Sequence, residues 1–166
     1  MTLPFAALGA LIAALIETTV LPELPIAGTQ ADLVLALAIV ATMVLGPEDG
    51  LVWAFVGGLM LDMLIPARPI GATTLSLLLV VGAAALVAHA VGRNHRLPAV
   101  LATFALTWLF HIVLVGVLIL TEGMALTVFE PRLVLAAAVM NTIVAVPATV
   151  VLAAVARRLS TERVDW

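Results

Sequence analysis

Few side chains in this chain could do chemistry, and three of them stand inside otherwise apolar runs: Glu17, Asp62 and His111. An ionisable residue within a bilayer is costly, so its default reading is functional. Asp62 closes the stretch Gly57-Gly58-Leu59-Met60-Leu61-Asp62. One reading has it anchor the Pro66–Gly71 loop, by pairing with Arg68, or line a cavity. The other makes it an interfacial acid that holds a tight turn. His111 follows Thr103 and Thr107 at helical spacing, which gives one polar stripe on an apolar helix. Counted from the inner ends of their helices at about 1.5 Å per residue, Glu17, Asp62 and His111 reach a similar depth of roughly 20 Å. A polar cluster in the outer half of the bundle is therefore permitted. Separate interhelical hydrogen bonds are the simpler alternative. Asn141 reads as a helix–helix contact, Pro147 as a bend, His89 as an interfacial residue, and Trp53 and Trp108 as belt residues near inner helix ends.

The catalytic and metal-binding patterns that need such residues are missing. There is no H-E-x-x-H, G-x-S-x-G, phosphate-binding loop or G-x-G-x-x-G. The 3 histidines lie on different segments without metal-ligand spacing, and 0 cysteines exclude thiolate sites and disulfides. Lysine is absent, and a net charge of −3 argues against nucleic acid. No catalytic residue, cofactor or metal is expected, and the chain does not read as an enzyme.

The elements that must position these groups are membrane helices. Hydrophobic residues make up 64% of the 166 and charged residues 10%, and the mean hydropathy is +1.29. Soluble domains are nearer half apolar and a quarter charged. A crossing helix needs roughly 20 apolar residues. Six such runs follow one another: about Leu3–Leu21, Ala31–Leu45, the stretch after Gly46-Pro47-Glu48-Asp49-Gly50 to near Ile65, Ala72–Val91, Leu97–Leu120 and Pro131–Ala156. The second and third are short for a full crossing. The fold class expected is all-α integral membrane: one six-helix transmembrane bundle over 1–158 and a short polar tail over 159–166. The first run has no basic leader or clean cleavage site and reads as a retained helix. Arg93, Arg96, Arg157, Arg158 and Arg163 fall on one side and only Arg68 and Arg132 on the other. The positive-inside rule then places both termini in the cytoplasm. Small residues recur at helical spacing in Gly50, Ala54 and Gly57, beside Gly58, and in Ala6, Ala10 and Ala14. Such faces let another helix approach closely, so they are the expected docking faces for a partner.

The segment Gly46-Pro47-Glu48-Asp49-Gly50, then Gly57-Gly58-Leu59-Met60-Leu61-Asp62, then Pro69-Ile70-Gly71 and a long apolar helix, resembles the MreD rod-shape-determining family. That family commonly carries a proline-aspartate pair before its second helix; here the pair is Ala31-Asp32. The resemblance implies a scaffold of the cytoplasmic membrane that works beside MreC in cell elongation. Through MreC it would act on RodA and a class B transpeptidase in peptidoglycan synthesis. It also implies a bundle similar to the S subunits of energy-coupling-factor vitamin transporters. Two rival readings use the polar residues directly: a substrate-binding subunit of a small-molecule transporter, and a binder of lipid intermediates. Contact with membrane lipid is common to all three, and a homo-oligomer is compatible with each.

Overall fold

The computed structural model describes residues 3–23, 29–66, 69–91, 96–123 and 129–161. They form six α-helices: α1 (Leu3–Thr19), α2 (Leu33–Val44), α3 (Pro47–Leu64), α4 (Ala72–Val91), α5 (Arg96–Glu122) and α6 (Pro131–Thr161). A 3-10 turn, Leu21–Glu23, follows α1. Four segments, Leu3–Glu23, Ala72–Val91, Leu97–Glu122 and Pro131–Arg157, are long and apolar enough to cross a bilayer. The helix α6 runs on through Arg157 and Arg158 to Thr161, so the first residues of the expected tail are helical.

The short helix α2 is the axis of the bundle. Its 12 residues carry no charge, and nine of them are buried, on every side of the helix. A helix apolar all round is a core helix. At about 18 Å it is too short to cross alone, and it packs against each of the other five helices. Around it α1 meets α3, α3 meets α4, α4 meets α5, and α5 meets α6. Among the described residues α6 and α1 do not meet, so the ring is open at one seam. The least buried residues of α2 along its length, Leu33, Leu37 and Val44, fall within about 40° of one another and mark the side the ring leaves uncovered.

Local sequence explains the tight joint between α2 and α3. Gly46 takes φ of 136°, a region disfavoured for other residues, and donates its N–H to the Ala41 carbonyl. Pro47 then opens α3, with Glu48 and Asp49 in its first turn where the helix dipole favours acids.

The small residues expected to receive a partner's helix are taken up inside the chain. A Cβ on Gly50 would lie 1.9 Å from Thr42 Oγ1, one on Gly57 2.5 Å from Val34 Cγ1, and one on Gly58 2.7 Å from Thr74 Cα. Those glycines are where α2 and α4 close on α3. Ala6, Ala10, Ala14 and Ala54 are fully buried as well. The reason is local: small faces give the closest helix approach, and the chain's own helices use that approach first. Trp53 also departs from the belt reading. It is buried in the α1–α3 contact, where a Cβ on Gly9 would come within 2.9 Å of its ring. The outward face of α1 is instead large and apolar, with Leu3, Phe5, Leu8, Ile12, Leu15 and Ile16 exposed.

Candidate functional site at two buried helix starts

Helices α2 and α4 both begin at largely buried residues, among them Val34, Thr73 and Thr74, where protein groups take the place of water at the first N–H groups. An unpaired backbone donor in that setting costs as much as a lost hydrogen bond or more. Each start is served by an acid from the preceding helix.

At α4 the acid is Asp62. Its Oδ2 accepts from Gly71 N at 3.0 Å, Thr74 N at 3.0 Å and the Thr74 hydroxyl at 2.6 Å. Its Oδ1 accepts from Thr73 N at 2.9 Å. The carboxylate, 2% exposed, thus caps the first turn of α4 from α3. Gly71 at φ 97° turns the chain so that these donors converge. Asp62 thus holds both Gly71, the last residue of the Pro66–Gly71 loop, and the turn that opens α4. Arg68, the partner considered for it, lies outside the described residues.

At α2 the polar groups come from four helices. Glu17 of α1, itself buried, accepts from Val34 N at 2.8 Å through Oε2. Asp32 stands at the N-cap position, yet its side chain bonds no N–H of its own helix. It turns to α6 instead. Asn141 Oδ1 accepts from Asp32 N at 2.7 Å, and Asn141 Nδ2 donates to Asp32 Oδ2 at 3.1 Å. The same Nδ2 lies 3.2 Å from Thr107 Oγ1 on α5. Along α5, Thr107 donates to the Thr103 carbonyl and His111 Nδ1 lies 2.9 Å from the Thr107 carbonyl. His111 Nε2 then faces Asp32 Oδ2 at 3.9 Å. The side chains of His111 and Asp32 keep 23% and 24% exposure, whereas Asn141 and Thr107 have none.

The level of this cluster is deep. Asn141 lies ten residues beyond Pro131 and His111 eleven before Glu122, so α2 begins about 15 Å from the end of α5 at Glu122 and the end of α6 at Pro131. Of the trio Glu17, Asp62 and His111, the first and last flank the start of α2, and Asp62 serves α4. Asn141 is a helix–helix contact joining α6 to α2 and α5. Pro147 lies inside α6 with its ring exposed, and Trp108 is half-buried.

Asp32 is the central residue that sequence reasoning passed over. Its only trace there was the Ala31-Asp32 pair ahead of the second helix. Its partner Asn141 is 109 positions away, beyond the reach of any spacing argument. Among the described residues no group of three or more His, Asp or Glu side chains is placed to hold a metal ion.

Comparison with known proteins settles the relationship. The family model described as rod shape-determining protein MreD matches residues 2–154. The chain belongs to the MreD family. No curated protein and no solved structure matches it. Family membership and the four long apolar helices make it a multi-pass membrane protein of the rod-shape-determining class. In this chain the Gly57-Gly58 and Asp62 positions that carried the resemblance are those that join α2 and α4 to α3.

Proposed function

We propose that this chain is a non-enzymatic scaffold of the cell-elongation machinery in the cytoplasmic membrane, with both termini cytoplasmic, and that it binds MreC. Through MreC it acts on RodA and a class B transpeptidase. The observation that carries this reading is the open seam between α1 and α6. A single apolar helix from a partner would complete the ring there and cover the partly buried flank of α2. The buried polar groups of α1, α3 and α6 support the same reading, because Glu17, Asp62 and Asn141 are committed to holding helix starts. The small-residue faces are filled internally, so the partner surface lies on the larger apolar side chains of α1 and α6, not on Gly50, Gly57 or Gly58.

Photo-crosslinking amino acids on the outward faces of the two helices that border the seam, at Ile12 on α1 and Val139 on α6, with Leu86 on α4 as the comparison, test for a partner on that side of the bundle; all three positions are exposed. The expected result is an MreC adduct from Ile12 and Val139 and none from Leu86. Equal adducts at all three positions, or adducts at Leu86 alone, would overturn it. Position-tagged reporters at the two ends test the orientation.

A second reading, a small-molecule or lipid-binding subunit, is favoured by the partial exposure of Asp32 and His111. A thermal-shift screen against vitamins and lipid head groups separates it from the scaffold. The scaffold reading expects no ligand to raise the melting temperature.

A further inference from the structure

We infer that this chain steps the bilayer around it: the hydrocarbon layer is thinner beside α1, α3 and α4 than beside α5 and α6. Contacts at the start of α2 fix a common level through the bundle. Glu17 of α1 accepts from Val34 N, and Gly57 of α3 stands against the Val34 side chain. Two residues earlier, Asp32 meets Asn141 of α6, which in turn meets Thr107 of α5. Toward the end that holds Leu3, Pro47 and Arg96, helices α1 to α5 run on from this level by similar lengths, roughly 15–21 Å. Toward the other end they differ. Helix α1 stops at Thr19, two residues past Glu17, and α3 stops at Leu64, seven past Gly57. Helix α4 starts where Asp62 of α3 holds its first turn. Yet α5 continues fifteen residues past Thr107 to Glu122, and α6 begins ten residues before Asn141. Those two reach about 18–22 Å beyond the level of Val34, the others about 10 Å or less.

The taller pair is apolar along its extra length. No Asp, Glu, Lys or Arg stands between Arg96 and Glu122 or between Arg132 and Arg157. On the part that rises above the other helices, Ile112 and Leu120 of α5 and Leu133, Leu135 and Val139 of α6 are exposed. Acyl chains suit such side chains and water does not. The shorter side closes on polar groups instead: Thr18, Thr19 and the exposed Glu23 after α1, and Asp62 with the donors of the α4 turn. A flat layer about 30 Å thick would submerge that turn or strand the apolar ends of α5 and α6. A bilayer instead thins or thickens locally, at modest cost, to match the lengths it meets. Around the ring the step falls between α4 and α5, and again across the open seam between α6 and α1. No partner is needed for it, so it holds or fails independently of the scaffold reading.

The chain has 0 cysteines, so single cysteines can carry nitroxide labels. Met63→Cys on α3 and Ile112→Cys on α5 lie within about 2 Å of the same height, six residues past Gly57 and five past Thr107. Leu51→Cys and Leu101→Cys, each six residues before those references, form the matching pair toward the other end. All four side chains are exposed. The labelled full chain is placed in palmitoyl-oleoyl phosphatidylcholine liposomes, and depth is read from collisions with oxygen and a water-soluble nickel chelate. The Met63 label should lie shallower than the Ile112 label by about 5 Å or more, while the Leu51 and Leu101 labels agree within about 3 Å. Equal depths at Met63 and Ile112 would mean a flat bilayer and overturn the inference. A difference between Leu51 and Leu101 of the same size and opposite sense would mean that the bundle tilts as a rigid body, which overturns it too. Leu64→Cys, exposed at the end of α3, replaces Met63→Cys if that variant does not fold.

Discussion

The start of α4 and the start of α2 solve one problem in two ways. At α4 a single buried carboxylate, Asp62, takes three backbone N–H groups and a hydroxyl, all from the turn it caps. At α2 the work is divided: Glu17 takes the Val34 N–H, Asn141 holds the backbone of Asp32, and the Asp32 carboxylate faces sideways toward His111. The first arrangement is saturated and local, spanning about a dozen residues. The second joins α1, α2, α5 and α6 and leaves the side chains of Asp32 and His111 partly exposed.

Neighbouring glycines repeat the contrast. Gly58 stands against the backbone of Thr74 at the start of α4, and Gly57 against the side chain of Val34 at the start of α2. The backbone cannot move aside without moving the helix, whereas a valine methyl can be removed.

The largest effect should come from Asp62→Ala. It strands several buried donors at about 1–3 kcal/mol each, so the loss of stability should exceed about 3 kcal/mol. Thermal or denaturant unfolding of the purified chain measures it, and Asp62→Asn should recover part. An effect under 1 kcal/mol would mean that water reaches the turn and that the two starts are not so different.

Next are the glycines. Gly58→Ala should cost about 2–3 kcal/mol and resist rescue by Thr74→Ser. Gly57→Ala should cost about 1–2 kcal/mol and couple favourably with Val34→Ala in a double-mutant cycle. Rescue at both positions, or at neither, would erase the distinction between backbone and side-chain contact.

Glu17→Gln should be the mildest. The amide oxygen can still accept from Val34 N, so the change should fall near 0.5–1 kcal/mol by the same unfolding measurement. A loss as large as that of Asp62→Ala would show that Glu17 carries the α2 start almost alone.

Much of the helical layout was legible in the sequence. The apolar runs placed α4 at its observed ends, and the other helices within a few residues, because length and hydropathy are local properties. Membership in the family was legible through Gly57, Gly58, Asp62 and Gly71, residues whose types are demanded by a close approach, an acid cap and a positive φ. The partner of each small face was not. Nothing in a run of alanines says whether a neighbour is the next helix or another protein, and the chain's own helices filled those faces. Trp53 was misjudged for a similar reason: position along a helix gives depth but not direction. Asp32 and Asn141 could not be paired, since their contact depends on how three separate helices are arranged.

The brevity of α2 has a consequence for how the protein is made. A stretch of 12 apolar residues offers the insertion machinery less than a bilayer's thickness of grease. Only Leu45 and Gly46 separate it from α3, so the two are expected to enter the lipid together as one hairpin. Until α5 and α6 arrive with Thr107 and Asn141, the polar start of α2, at the end of that hairpin away from its turn, lacks those partners. Late steps of synthesis would then decide whether the early ones hold.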